Sequence, residues 1–434
     1  MRQSKLPVVS GIDTLATMNT ATRILRNHAS LLRRYAAALS FLIVALVSPG
    51  QANQQAVIPG IEVLLSEQLN LIRGKQVGLI TNHSGVDRKL RHDIDLLASA
   101  PGVKLTALFS PEHGIRGAAQ AGEKIHSSLD AKTGVPVHSL YGETRRPTND
   151  MLGNVDVLIY DIQDIGTRFY TYISTLGECM QAAAERKIPL IVLDRPNPLG
   201  GDRIEGPLLD LDFRSFVGAY AIPIRYGLTP GELAGWIKSD RKLDLELSIV
   251  KMKHWTRAQW HEETNLIWVP PSPNIPTMAS AVVYPGMCLI EGTNLSEGRG
   301  TSTPFEIVGA PWIDGIKLAE RLNALALPGA LFRPVSFMPT LSKFSGEICQ
   351  GVQLHVNDRK LFRPVGTALA IIEDIHKNYP DQFQFKSSYF DRLAGTDAVR
   401  KALEHGDPVA KIIATWQNDL KRFETVRQRF LLYP

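Results

Sequence analysis

Between residues 75 and 194, short apolar runs alternate with amphipathic stretches: KQVGLITN, HDIDLLASA, VKLTALFS, VPVHSLY, VDVLIYDIQD, TYISTLGECMQAAAERK and IPLIVLD. The β-branched runs end in turn-forming residues, and the stretches between them repeat their apolar positions at helical spacing. That alternation predicts βαβ units, hence an α/β fold with a Rossmann-like parallel sheet and helices on both faces. Sheets of this kind take ligands beyond the carboxyl ends of their strands. Four such ends are polar: Asn82-His83-Ser84-Gly85, Ser110-Pro111-Glu112-His113-Gly114, Asp161-Ile162-Gln163-Asp164 and Asp194-Arg195-Pro196-Asn197-Pro198.

Beyond residue 200 the pattern changes. TPGELAGWIKSD predicts a helix capped by Thr229 with Pro230 at its first position, and LELSIVKMKHW predicts another strand. WVPPSPNIPTMASAVVYPG carries too much proline for regular structure and predicts a passage into a second unit. FRPVSFMPT, CQGVQLHV, a helix around TALAIIEDIHK and a helical tail from about Thr396 to Phe430 follow. The expected division is a sheet domain over 53–280 and a smaller α+β C-terminal domain over 281–434. A chain of 434 residues with 44% hydrophobic content has the material for two cores.

Charge and the N-terminus alter the picture in one respect. The formal charge of +5 resides in the leading segment, where Arg2, Lys5, Arg23, Arg26, Arg33 and Arg34 face only Asp13, and the remainder is balanced. The basic pI therefore does not argue for nucleic acid as a partner. RILRNHASLLRR, thirteen mostly apolar residues (YAAALSFLIVALV) and then SPGQA have the layout of a secretory signal peptide, with cleavage after Ala52 and a possible true start at Met18. The apolar run is short of the roughly 20 residues of a spanning helix, which argues against stable membrane anchoring. The expected location is periplasmic or secreted. Of the three cysteines, Cys179 reads as an apolar helix residue, while Cys288 and Cys349 either pair or both lie in the core.

Three stretches carry groups suited to catalysis or sugar binding. Glu112, beside His113 and between Pro111 and Gly114, is placed on a rigid turn at the rim of the sheet, where a partly buried carboxyl suits general-acid work; the structural alternative is a loop carboxylate paired with Arg116. Asp161, Gln163, Asp164, Arg168, Tyr170 and Tyr172 gather hydrogen-bonding groups and aromatic faces in one loop, although Asp164 or Thr167 starting a helix explains part of that mixture. Glu291, Asn294, Glu297 and Arg299 occupy a glycine-rich stretch that lets backbone approach a ligand, against a solvated loop as the alternative. No GxSxG or GxGxxG is present, and the histidines lack the spacing of metal hydrolases, so no cofactor or metal is expected. A metal held by Asp161, His113 and Asp194 is the weaker possibility.

Taken together, ITNHSG, LFSPEHGIRG, DIQDIGTRFYTYISTL, VLDRPNPLGG, EGP, YPGMCLIEGTNLSEGRGTSTPFE, GAPW and CQGVQLHV resemble the exo-β-N-acetylmuramidases, a family first catalogued as a domain of unknown function. The resemblance spans nearly all of the chain beyond the leader. It implies a Rossmann-like domain, a smaller C-terminal domain and an active site between them that removes terminal N-acetylmuramic acid from the non-reducing end of peptidoglycan fragments. It also implies that Glu112, in SPEHG, is the general acid/base. His113 tuning Glu112, Asn82, Gln163, Arg168 and Tyr172 holding the sugar, and the Glu291 to Arg299 loop closing the site are inferences from residue type and position.

Three mechanisms stay open at this stage: Glu112 paired with Asp161 or Glu291, Glu112 with a nucleophile supplied by the substrate's 2-acetamido group, or Glu112 alone in both steps. Arg299 or Arg168 is the expected partner of the lactyl carboxylate. Competing readings are a sugar-binding protein without turnover and a metal-dependent hydrolase.

Overall fold

The computed structural model describes residues 55–116, 123 and 126–434. The leader expected over 1–52 lies outside them. Ala56–Pro434 form one compact unit, and no helix among the described residues is long and apolar enough to cross a membrane.

The chain opens with α1 (Gly60–Glu67) and β1 (Gln76–Thr81), then α2 (Asp93–Ala98), β2 (Lys104–Ser110), the short β3 (Ser128–Leu129) and β4 (Pro136–Ser139). It continues through β5 (Val157–Asp161), α3 (Tyr172–Arg186), β6 (Leu190–Leu193), a ribbon of β7 (Glu205–Leu208) and β8 (Pro223–Arg225), α4 (Pro230–Asp240) and β9 (Leu247–Val250). Seven strands join in the order β3-β4-β2-β1-β5-β6-β9, all parallel except the β3–β4 pair. Strand order reverses between β1 and β5, where Thr81 lies opposite Asp161.

Alternation along the strands explains why both faces are covered. Val157 and Ile159 of β5 join a core cluster with Ile61 and Leu64 of α1 and Ile94 and Leu97 of α2. Leu158 and Tyr160 point the other way, into a cluster with Leu176 and Met180 of α3 and Leu233 and Ile237 of α4. Sheets buried on both sides read as continuous apolar runs, which is why these strands stood out. At α4 the expected cap is present: Thr229 accepts from the Glu232 N–H while the Glu232 side chain accepts from the Thr229 N–H.

The smaller C-terminal domain contains α5 (Met278–Met287), β10 (Ile307–Ala310), α6 (Gly315–Ala324), β11 (Ala330–Phe337), β12 (Cys349–Val356), α7 (Pro364–Asn378) and α8 (Ser387–Ala394). Its antiparallel sheet runs β10-β12-β11. The larger core cluster is continuous from the α3 and α4 side of the first sheet into this domain, taking in Val308, Val352, Leu369 and Phe390. Cys288 and Cys349 are buried, unpaired core residues, as is Cys179. Helices α9 (Ala398–His405), α10 (Val409–Thr415) and α11 (Gln417–Arg427) bring the tail back to the first sheet. There Arg427 donates to the carbonyls of Gly201 and Gly227, and the Tyr433 hydroxyl donates to Asp194.

Helix α5 departs from the sequence reading. Its prolines cluster ahead of Met278, Thr277 caps it by accepting from Ser280, and Pro285 enters only near its end. Proline runs therefore marked the approach to a helix rather than its absence. The helix also crosses α7 so closely that a Cβ on Gly286 would sit 1.8 Å from the carbonyl oxygen of Pro364. Backbone cannot yield as a side chain does, so Gly286→Ala is expected to destabilise the protein by about 1–3 kcal/mol or more. Denaturant unfolding checks this; a neutral result would show that the α5–α7 crossing can widen freely.

Candidate active site

Glu112 follows β2 on a tight turn closed by the Gly114 N–H donating to the Pro111 carbonyl at 3.1 Å. The third residue of that turn, His113, has φ 71°, a left-handed conformation that a non-glycine residue rarely adopts. Only 8% of Glu112 remains exposed. Thr171, immediately before α3, donates its hydroxyl to Glu112 Oε2 at 2.6 Å. Tyr141, just beyond β4, also hydrogen-bonds Glu112; burial and then the charge of Glu112 push the tyrosine up to about 12, so it stays a neutral donor. Arg116, the residue named in the structural alternative for Glu112, pairs with Asp130 at 2.6 Å.

Glu112 opens onto a cavity of about 580 Å3 that both domains line. The first domain supplies Glu112, Tyr141, Phe169 and Thr171, and the second supplies Tyr284, Cys288, Glu291, Arg299 and Tyr389. Glu291 is held on both oxygens: Arg299 donates to Oε1 from Nη2 at 2.6 Å and from Nε at 3.1 Å, and the Tyr389 hydroxyl donates to Oε2 at 2.7 Å. Arg299 lies over the Phe305 ring, 5.0 Å from its centroid. Glu297 sits behind it, paired with Lys343 at 2.9 Å and lining an open side lobe of about 350 Å3 that also borders Arg299 and Glu291. His113 and Tyr172 line a smaller pocket that also borders Glu112.

Other expected site residues face elsewhere. Asp161 is fully buried and bound by Arg195, with Nε on Oδ1 at 2.5 Å and Nη2 on Oδ2 at 3.0 Å, and it does not line the cavity. Asn82 Oδ1 accepts from the Ser84 N–H and hydroxyl, and Gln163 donates to the carbonyls of Asp164 and Pro196. Both serve the strand ends at the reversal of the sheet. Arg168 donates to four main-chain carbonyls, those of Pro207, Ile222, Leu393 and Ala394, and so ties the first domain to α8. Asn294 is spent on Gln382 and Gln384. Asp161, Gln163, Arg168 and Asn294 thus spend these hydrogen bonds on the fold, none of the five lines the main cavity, and the buried Asn82 Nδ2 finds no partner among the described residues.

The stretch from Asp161 to Thr171 is not the start of a helix, since α3 begins only at Tyr172. Among the described residues no group of three His, Cys, Asp or Glu side chains comes together as a metal site. Asp194 instead accepts from Thr229, Gly231 and Tyr433. Most of the cavity lining escaped the sequence reading, Tyr141, Thr171, Asn274, Tyr284 and Tyr389 among it. Tyr141 lies just beyond the end of β4 and was open to the same logic that found Glu112, whereas Asn274 and Tyr389 carry no local signal.

A strand-end acid of a mostly parallel sheet thus meets a second domain over a cavity that Tyr141, Tyr284 and Tyr389 line, an arrangement open to a glycosidase. Family models described as the N-terminal and C-terminal parts of the exo-β-N-acetylmuramidase NamZ match residues 77–279 and 282–433. The chain belongs to this exo-β-N-acetylmuramidase family. The peptidoglycan β-N-acetylmuramidase NamZ of Bacillus subtilis (strain 168) is 51% identical over 397 residues, covering 90% of this chain and 96% of that protein. Crystal structures of two DUF1343 family proteins from Bacteroides fragilis NCTC 9343 have TM-scores of 0.82 and 0.73 at 40% and 32% identity, each match covering 87% of this chain and 99% of the other.

Proposed function

We infer that this protein is an exo-acting glycoside hydrolase that releases terminal N-acetylmuramic acid from the non-reducing end of peptidoglycan fragments. The observation that carries this reading is the shared cavity, in which Glu112 from the first domain faces Glu291 and Arg299 from the second. Glu112 is the general acid that protonates the glycosidic oxygen and then the base that takes a proton from the incoming water. Thr171 and Tyr141 hold its carboxyl group in place.

The other cavity carboxylate, Glu291, has both oxygens engaged by Arg299 and Tyr389, which makes it a poor nucleophile. Asp161, bound to Arg195, is not available as the partner acid. These two facts favour the route in which the 2-acetamido oxygen attacks C1, the bond to the leaving sugar breaks as Glu112 gives up its proton, and water opens the resulting oxazolinium ring. The basic and apolar leader supports export, and with it a cell-wall substrate.

Incubation with a MurNAc-GlcNAc disaccharide tests the reading: release of free N-acetylmuramic acid is expected, and binding without cleavage would return the protein to the class of sugar-binding proteins. Arg299 is the cation placed to meet the lactyl carboxylate, since Nη1 makes no bond within the described residues. Arg299→Ala is therefore expected to lose about 10- to 100-fold more kcat/KM on a chromogenic β-N-acetylmuramide than on the corresponding N-acetylglucosaminide, which lacks that carboxylate. Equal losses on both substrates would remove Arg299 from substrate recognition and leave it as the support of Glu291.

A further inference from the structure

Behind Glu112 a second, smaller pocket of about 50 Å3 adjoins the main cavity, sharing Glu112, Asn274, Tyr284 and Arg299 with it. It is too small for a sugar ring. Its apolar wall is made by the rings of Tyr284 and Phe305, packed edge to face with centroids 4.7 Å apart, and the Ile275 side chain, while Glu112, His113, Ser272, Asn274 and Arg299 bring polar groups to the rest. One polar group in this pocket stands out. Tyr170 is 7% exposed, and its hydroxyl finds no partner among the described residues even though Ser272 and Tyr172 are close by. A buried hydroxyl left in that state is costly unless a ligand completes its bond. Burial also raises the Tyr170 pKa, so the group is available as a donor.

We propose that this inner pocket receives the 2-acetamido group of the sugar, with Tyr170 and Asn274 meeting its amide and Ile275, Tyr284 and Phe305 enclosing its methyl. The proposal rests on the glycosidase reading and adds to it the residues that select the acyl group. The anomeric carbon must lie within reach of Glu112 for proton transfer to the leaving oxygen, and the substituent on the next ring carbon then falls beside Glu112, where this pocket opens. A group with an amide and a methyl suits a pocket that pairs polar side chains with one apolar wall, and the Glu112 carboxyl on its rim disfavours a second carboxylate beside it. The lactyl ether on the following carbon is left toward Arg299, which borders both spaces.

The test is a series of chromogenic β-muramides carrying N-acetyl, N-propionyl and N-butyryl groups, with calorimetric binding of the corresponding free N-acylmuramic acids measured in parallel. Wild type is expected to lose about 10- to 200-fold in kcat/KM for each added methylene that the pocket cannot hold. Tyr170→Phe, which keeps the ring, is expected to lower kcat/KM on the N-acetyl substrate by about 10-fold. Ile275→Val, which adds room with little risk to folding, is expected to raise the propionyl-to-acetyl ratio above that of wild type. A wild type that cleaves all three acyl substrates equally, or an Ile275→Val ratio unchanged from wild type, overturns the proposal while leaving the glycosidase reading intact. A wild type that cleaves none of them overturns the glycosidase reading, and the binding series then still decides whether the pocket selects the acyl group.

Discussion

Glu112→Gln is expected to fold normally and to lose most of its hydrolytic turnover, with a loss that depends on the leaving group. The amide has the shape of the carboxyl and can still meet the Thr171 hydroxyl, which now donates to Glu112 Oε2 at 2.6 Å. Its unfolding midpoint should therefore match that of wild type. What it lacks is a transferable proton. General acid-base catalysis is worth about 10^2- to 10^4-fold, and a poor leaving group needs the acid most. On MurNAc-GlcNAc, whose departing sugar alkoxide must be protonated, kcat should fall toward the upper end of that range. On a nitrophenyl β-N-acetylmuramide, whose phenolate leaves readily, it should fall toward the lower end. Steady-state rates on the two substrates check this. Equal losses would make Glu112 a positioning group rather than the acid, and full activity would remove it from the mechanism.

Why this acid was legible in the sequence while its neighbours were not follows from where their partners lie. The sheet strands declared themselves because both of their faces are buried, so VLIYD and LIVL read as unbroken apolar runs. Proline and glycine around Glu112 mark a turn directly after such a run, a spacing that a loop carboxylate explains as well. It was the resemblance of SPEHG to the muramidase family that singled the residue out. Arg168 looked equally suited to a ligand, yet its guanidinium is consumed by carbonyls spread from Pro207 to Ala394. No local spacing reveals a partner 226 residues away. The same holds for Tyr389, which reaches Glu291 across 98 residues to complete the cavity. Polar side chains at a strand end announce that something must satisfy them; only the fold decides whether that is a substrate or another part of the chain.

Arg195→Met supplies the sharpest test of that distinction, at the point where the sheet reverses. There Asp161 is fully buried, Asp93 lies close by with its Oδ2 2.5 Å from the Thr81 hydroxyl, and Asp87 adds a third carboxylate to the field around Arg195. Arg195 is bound to Asp161 through two N–H groups and to the Val86 carbonyl through a bond at 3.0 Å. Replacing it by an uncharged side chain strands a buried carboxylate, and the expected cost is about 3–5 kcal/mol in denaturant unfolding. The cost should also depend on pH in a defined direction. A carboxyl whose folded pKa is raised supplies its stability in full at low pH and loses it as pH climbs through the folded value. Burial already pushes Asp161 up to about 6 against the opposing pull of Arg195. Without the guanidinium the value rises further, so the deficit of Arg195→Met should be larger at pH 8 than at pH 5. Asp161→Asn keeps the hydrogen-bonding shape and leaves Arg195 near Asp93 and Asp87, so it should cost less and leave kcat within a few-fold of wild type. A stable Asp161→Asn with turnover as low as that of Glu112→Gln would restore Asp161 to the catalytic machinery and make the ion pair at the sheet reversal a part of the chemistry.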